Sequence, residues 1–322
     1  MTRLRHWRVP LLALAVLLPT GCAPSAPQGP DVHRQRLAAD QHKPIRVGAW
    51  NVEWLGMPER RSGPAKGHRQ SPEALAEYIL AADVDILGLE EIKIDSDDGS
   101  DTNSLLSSAL EIVEQQRGGH WQHRLFPTTY GRDQCTGVAW DSTRVAPIGE
   151  PRIVTDPDRK STQSKTIWSR PPRGWLFSAG DGLTDLVVIV IHMKSNYGGD
   201  FAEHRGEEAH CLVADLPAAF DDPDVLIIGD ANCSAHGEPA VATICEAGFV
   251  DLNARDVETH WRYGPLDRAF VPADQPEFVR RQFEVLSGSF FAAHDLRVTD
   301  FKVSYSDHFM VITEVDVRED DD

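Results

Sequence analysis

Cysteine, positive charge and long apolar runs are all scarce in this chain, and each scarcity excludes something. Five cysteines occur in 322 residues, and Cys135, Cys211, Cys233 and Cys245 form no Cys-x-x-Cys pair, which argues against a structural zinc site. The histidines are scattered, so His-rich metal binding is not indicated. Basic residues number 32 against 50 acidic ones, a net charge of -18. Such a surface repels nucleic acid unless basic side chains gather locally or cations intervene. The apolar run Leu11 to Leu18 is too short to span a bilayer. There is no internal repeat and no strong interior linker. The 41% of hydrophobic residues suffices for one large core.

The first residues read as a targeting segment. Arg3, Arg5 and Arg8 precede the apolar run, and Pro19-Thr20-Gly21-Cys22 follows it, the layout of a secretory signal peptide over 1–22. Leu18 to Cys22 also resembles a bacterial lipobox, which would place a lipid on Cys22 and tether the chain to a membrane; Pro19 stands where that pattern usually has Leu, and simple cleavage with release is the alternative. Residues 23–43, rich in Pro, Ala and Gln, read as a flexible tether, and 318–322 as an acidic tail. An exported chain can oxidise its thiols, so the four cysteines beyond Cys22 fit two disulfides in any of three pairings, or else buried free thiols.

Strand-like runs recur at Ile45–Trp50, Ile86–Leu89, Gly137–Trp140, Leu186–Ile191, Val225–Ile228 and Met310–Val315. Several are apolar at nearly every position, as in strands covered on both faces. Helices are expected from Pro72, with Ser71 as N-cap, over Asn103 to Gln116, and over Ala202 to Leu216. Strands interspersed with helices give an α/β sandwich as one domain over about 44–317.

Polar residues follow these runs. Trp50 leads to Asn51, Leu89 to Glu90-Glu91, Ile191 to His192, and Ile228 to Gly229-Asp230-Ala231-Asn232; Leu266-Asp267-Arg268 and Ser306-Asp307-His308 come later. Side chains at the ends of rigid strands are well placed for a site. Taken together and in this order, these motifs resemble the endonuclease/exonuclease/phosphatase superfamily, the DNase I-like fold. The resemblance covers about 44–316. It implies a four-layer α/β sandwich, two mixed β-sheets packed face to face with helices outside, and a metal-dependent phosphoester hydrolase.

The same resemblance implies roles. Glu91 and Asp307 would bind a divalent cation, most readily Mg2+, with Mn2+ or Ca2+ as alternatives, and Asn51 would lend a neutral oxygen. Glu90 stands where the family usually has Gln, adding a negative charge. His308 would be the acid/base group at the phosphate, oriented by Asp267. Asp230 would orient or deprotonate the attacking water, and Asn232 would donate to a phosphate oxygen; Asp230 and His308 both remain candidates for the base. His192 would be a second phosphate contact or leaving-group acid, with Gln134 as its polar partner.

For the substrate, Arg152 to Arg173 carries six basic residues against two acidic ones, with Trp168 in the stretch and Trp175 just beyond it. Basic groups contact phosphates and aromatic rings stack on bases. Arg170, Arg173 and Lys194 are therefore expected to bind a nucleic-acid substrate, with Arg205 and Arg262 extending the lining. The expected function is an extracytoplasmic nuclease, membrane-anchored or secreted, and a monomer with no indicated protein partner. The alternatives are a phosphatase or phospholipid phosphodiesterase with the same core, with Phe290-Phe291 as a small lipid-entry candidate, and a non-catalytic surface-binding lipoprotein.

Overall fold

Alternate burial along the strands decides the layers. In a computed structural model that describes residues 43–161 and 166–320, all within one compact unit, twelve strands form two six-stranded sheets. The signal segment, Cys22, most of the tether, Lys165 and the last two residues of the tail lie outside the described residues.

The first sheet contains β1 (Ile45–Leu55), β2 (Ile86–Ile92), β3 (Trp121–Thr128), β4 (Gly131–Asp141), β11 (Glu284–Leu286) and β12 (Met310–Val315), in the order β11-β12-β1-β2-β4-β3. The second contains β5 (Ala146–Ile153), β6 (Arg173–Ser178), β7 (Asp185–His192), β8 (Val225–Asp230), β9 (Phe249–Asp251) and β10 (Asp267–Pro272), in the order β5-β6-β7-β8-β10-β9. β1 pairs with β2, and β7 with β8, in parallel; the other pairings are antiparallel, so both sheets are mixed.

On β7, Leu186, Val188 and Val190 enter the core between the sheets, where Val47, Ala49, Ile228 and Val311 meet them. The intervening Val187, Ile189 and Ile191 face the opposite way, towards α3 (Ala202–Ala219) and α4 (Pro239–Glu246). A strand with helices on one face and a sheet on the other needs an apolar residue at every position. The first sheet is covered likewise by α1 (Pro72–Ala82), α2 (Ser104–Arg117), α5 (Gly288–His294) and α6 (Val298–Ser304). The result is the four-layer α/β sandwich, helices outside two mixed sheets.

The predicted N-cap is present, the Ser71 side chain accepting from Ala74 N–H; the next helix starts one residue later than expected, with Asn103 as its N-cap accepting from Leu106 N–H. Three expectations change. β1 does not end before Asn51 but runs to Leu55 through a register shift, with Glu53 and Trp54 at φ +48° and +56°. Cys135, Cys211, Cys233 and Cys245 are free thiols, so among the described residues the free-thiol alternative holds. Phe290 and Phe291 pack on Phe301 rather than facing a lipid.

Candidate active site

Sheet register gathers one half of the site. His192 is paired with Asp230 across β7 and β8, and Asp230 with Asp267 across β8 and β10, so three strands place these side chains in one row. Gly229 allows the row to form. Its φ is +136°, and a Cβ there would lie 2.3 Å from Ile191 O and 2.5 Å from Glu90 Oε1, so only glycine fits. The other half comes from the first sheet: Asn51 pairs with Glu90 across β1 and β2, and Asp307-His308 precedes β12.

Across the gap the two halves touch. His308 Nδ1 lies 2.8 Å from Asp267 Oδ2, and His308 Nε2 lies 3.8 Å from Asp230 Oδ2. His192 Nε2 is 3.5 Å from Asp230 Oδ2 and 3.7 Å from Glu91 Oε1. Asn51 Nδ2 donates to Asp230 Oδ2 at 3.0 Å, and Asn232 N–H to Asp230 Oδ1 at 2.9 Å. Arg268, next to Asp267 on the strand, turns to the other face and pairs with Asp251 and Asp256, which leaves Asp267 to the histidine.

Burial sets the charge states. It would lower His308, but Asp267, Asp230 and Asp307 outweigh it and hold the imidazole well above its usual range, so it is a cation at neutral pH. Burial pushes His192 well below its usual range, helped by Arg170 and His308, so it is neutral. Burial pushes Glu91 up to about 7, and Asp307 adds to the shift. Burial pushes Glu90 well above the carboxylate range, reinforced by Asp267 and Asp230; neither of its oxygens finds a partner among the described residues. Glu90 is therefore protonated more readily than an ordinary carboxylate, which weakens the extra negative charge expected at this position. Asp307 goes the other way: burial alone would raise it, but His260, His308 and Lys302 hold it below the usual range.

A family model for the endonuclease/exonuclease/phosphatase family matches residues 48–308. The chain belongs to this family. No curated protein matches the sequence. Among solved structures, the human Nocturnin catalytic domain with bound sulfate is similar at 15% identity, covering 86% of this chain and 94% of that one, TM-score 0.56. ANGEL2, a 2',3'-cyclic phosphatase in complex with adenosine-2',3'-vanadate, is similar at 13% identity over 86% and 96%, TM-score 0.59. TDP2 of D. rerio with single-strand DNA product is similar at 15% identity over 86% and 99%, TM-score 0.52. At such identities the likeness establishes the shared fold.

Several members of the predicted site take other positions in this family member. Asn51 accepts from Glu53 N–H through its oxygen and donates from its amide nitrogen to Asp230, so it also anchors Asp230. Gln134 bridges Arg170 Nη1 and Glu91 Oε1, at 3.2 and 3.3 Å, and does not partner His192. Arg170 is buried, its other donors taken by His192 O and Met193 O. Arg173 lies on the Phe126 ring and Lys194 on Phe201. Arg205 is buried and paired with Glu238, and Arg262 lies over Trp261.

The rest of the basic stretch is similarly occupied: Arg152 donates to Ala219 O, Arg159 pairs with Asp215, and Lys160 donates to Thr166. Trp168 and Trp175 are core residues. Among the described residues, Ser161, Thr166 and Ser169 of this stretch line a cavity together with Lys194, and neither tryptophan is free to stack on a base.

Sequence reasoning missed His260 and Lys302. His260 Nε2 is 3.7 Å from Asp307 Oδ2, and its ring meets His308 edge-on at 4.7 Å. Lys302 is fully buried; its Nζ is 3.0 Å from Asp307 Oδ2 and also contacts Glu53, which Arg61 pairs from the other side. Neither follows an apolar strand-like run, which is the pattern that marked the other candidates.

Proposed function

We propose that the chain is a divalent-metal-dependent phosphodiester hydrolase acting on nucleic-acid phosphoesters outside the cytoplasm. The observation that carries this reading is His308, held by Asp267, facing Asp230 and Glu91 in one cleft of about 560 Å³. The donor set fits a hard cation: Glu91 and Asp307 are oxygen ligands whose mutual repulsion a divalent ion would relieve. Bound there, Mg2+ would neutralise charge on the phosphate.

The chain's own groups divide the remaining work. His308, a cation at Nε2, stabilises a phosphate oxygen and can give a proton to the leaving oxygen. Asp230, held by Asn51 and by the Asn232 N–H, accepts the proton of the attacking water; a histidine already charged is poorly suited to do so. Asn232 spends one amide hydrogen on Met193 O and has the second for the phosphate. Neutral His192 flanks Asp230 and Glu91. The nucleic-acid reading is supported by the DNA product on TDP2 and the adenosine ligand on ANGEL2.

The test is a panel of DNA, RNA, sphingomyelin and inositol phosphates with Mg2+ and with EDTA. Nucleic-acid cleavage that EDTA abolishes is expected; cleavage of the lipid or inositol esters alone overturns the nucleic-acid assignment. His308→Ala should lower kcat by about 10²- to 10⁴-fold without unfolding the chain. Export rests on Arg3 to Cys22; a lipid label that Cys22→Ser abolishes would support the anchored form, and an unprocessed cytoplasmic chain would refute export.

A further inference from the structure

Two exposed tyrosines line the catalytic cleft. Tyr197, in the loop after β7, is 92% exposed, and Tyr263, in the loop before β10, is 65% exposed. Neither ring contributes to the core, although rings of this size are normally sheltered. Tyr263 is held in place by stacking on His260, centroids 4.8 Å apart and planes 20° apart. His260 in turn abuts His308. The aromatic wall is thus continuous with the acid/base group.

Beyond the tyrosines and the catalytic groups the lining is uncharged. Ser195, Asn196, Asn232, Ser234 and Leu266 line it beside the catalytic groups, and no Lys or Arg does so among the described residues. The basic side chains nearest in sequence are otherwise engaged: Lys194 on Phe201, Arg170 on backbone carbonyls, Arg205 on Glu238, Arg262 on Trp261. Proteins that track a nucleic-acid strand contact several phosphates through Lys and Arg and release counterions for each. This cleft has no such track, on a chain of net charge -18. Its volume of about 560 Å³ is that of a small-molecule site.

We infer that the substrate is a short phosphodiester carrying a nucleobase, a dinucleotide-sized ester whose base lies against Tyr197 and Tyr263, and not an internal linkage of a long polymer. The inference rests on the phosphodiesterase reading above and narrows its substrate.

The experiment measures kcat and KM in Mg2+ for three esters: a dinucleotide, a single-stranded oligonucleotide and an aliphatic glycerophosphodiester, over a range of salt. Expected is a dinucleotide kcat/KM at least equal to the oligonucleotide value per linkage, with little salt dependence. Tyr197→Ala and Tyr263→Ala should each raise KM for the dinucleotide by about 5- to 100-fold, with kcat nearly unchanged. Tyr→Phe at either position should restore KM, and the aliphatic ester should be cleaved alike by all variants. A kcat/KM that grows with chain length and falls steeply with salt overturns the inference. So does an equal loss on aliphatic and nucleobase esters in the alanine variants. If the wild-type chain cleaves none of the three, the phosphodiesterase reading itself fails, and the inference falls with it.

Discussion

Two buried ionisable groups beside the candidate site, Lys302 and Glu90, make it sensitive to single atoms. Lys302 links Glu53 and Asp307 where water is excluded, so replacing one member strands the others. Lys302→Met is expected to cost about 3–5 kcal/mol of unfolding free energy, measured by urea denaturation, and Glu53→Gln added to it should recover part of that loss. With the ammonium gone from Asp307, calorimetry should also show tighter Mn2+ binding. Glu90 behaves oppositely. Its folded form holds the proton tightly, whereas the unfolded chain ionises it at an ordinary carboxylate pKa, so its contribution to stability falls as pH rises. Glu90→Gln should therefore match wild type below about pH 4.5 and gain on it progressively as pH rises above that, read from urea midpoints. The sequence shows that a carboxylate closes the apolar run of β2; burial against Gly229, with Asp267 and Asp230 nearby, is what favours its neutral form.

At the scale of elements, the N-terminus of α2 carries a second pH dependence. His123 on β3 accepts from Asn103 N–H through Nε2 at 3.2 Å, and burial lowers its pKa from about 6.5 to about 4. The unfolded chain takes up the proton first on acidification, so this contribution is intact above about pH 6.5 and is lost as pH falls towards 4. The loss is about 3 kcal/mol. His123→Gln, which keeps an acceptor, should flatten the fall in thermal midpoint over that window. Legibility also varies by element. β7, β8 and β12 are apolar at nearly every position because layers cover both their faces, so the sequence announces them. β5 (Ala146–Ile153) was not anticipated: it is an edge strand with two prolines and a glycine, mostly exposed, with a register shift in its pairing to β6. β10 was visible only as Leu266-Asp267-Arg268, since alternation sends its charged neighbours to opposite faces.

For the molecule as a whole, stability comes from three apolar layers, with no covalent staple among the described residues. A reducing agent should leave the thermal midpoint unchanged; a drop of several degrees would show that oxidation pairs some of the cysteines. The surface charge has a similar lesson. A local excess of basic residues in sequence became, once folded, a set of internal contacts, while two tyrosines with no distinguishing pattern became the mouth of the cleft. The sequence by itself determined the family, the sandwich and the order of the polar residues that follow strands, because apolar periodicity and short motifs are local properties of the chain. Only the tertiary structure decided which of those residues meet, that Glu90 favours its neutral form and His308 its charged one, and that His260, Lys302, Tyr197 and Tyr263 stand beside them. Those outcomes depend on burial and on neighbours far apart in the chain, which no spacing encodes.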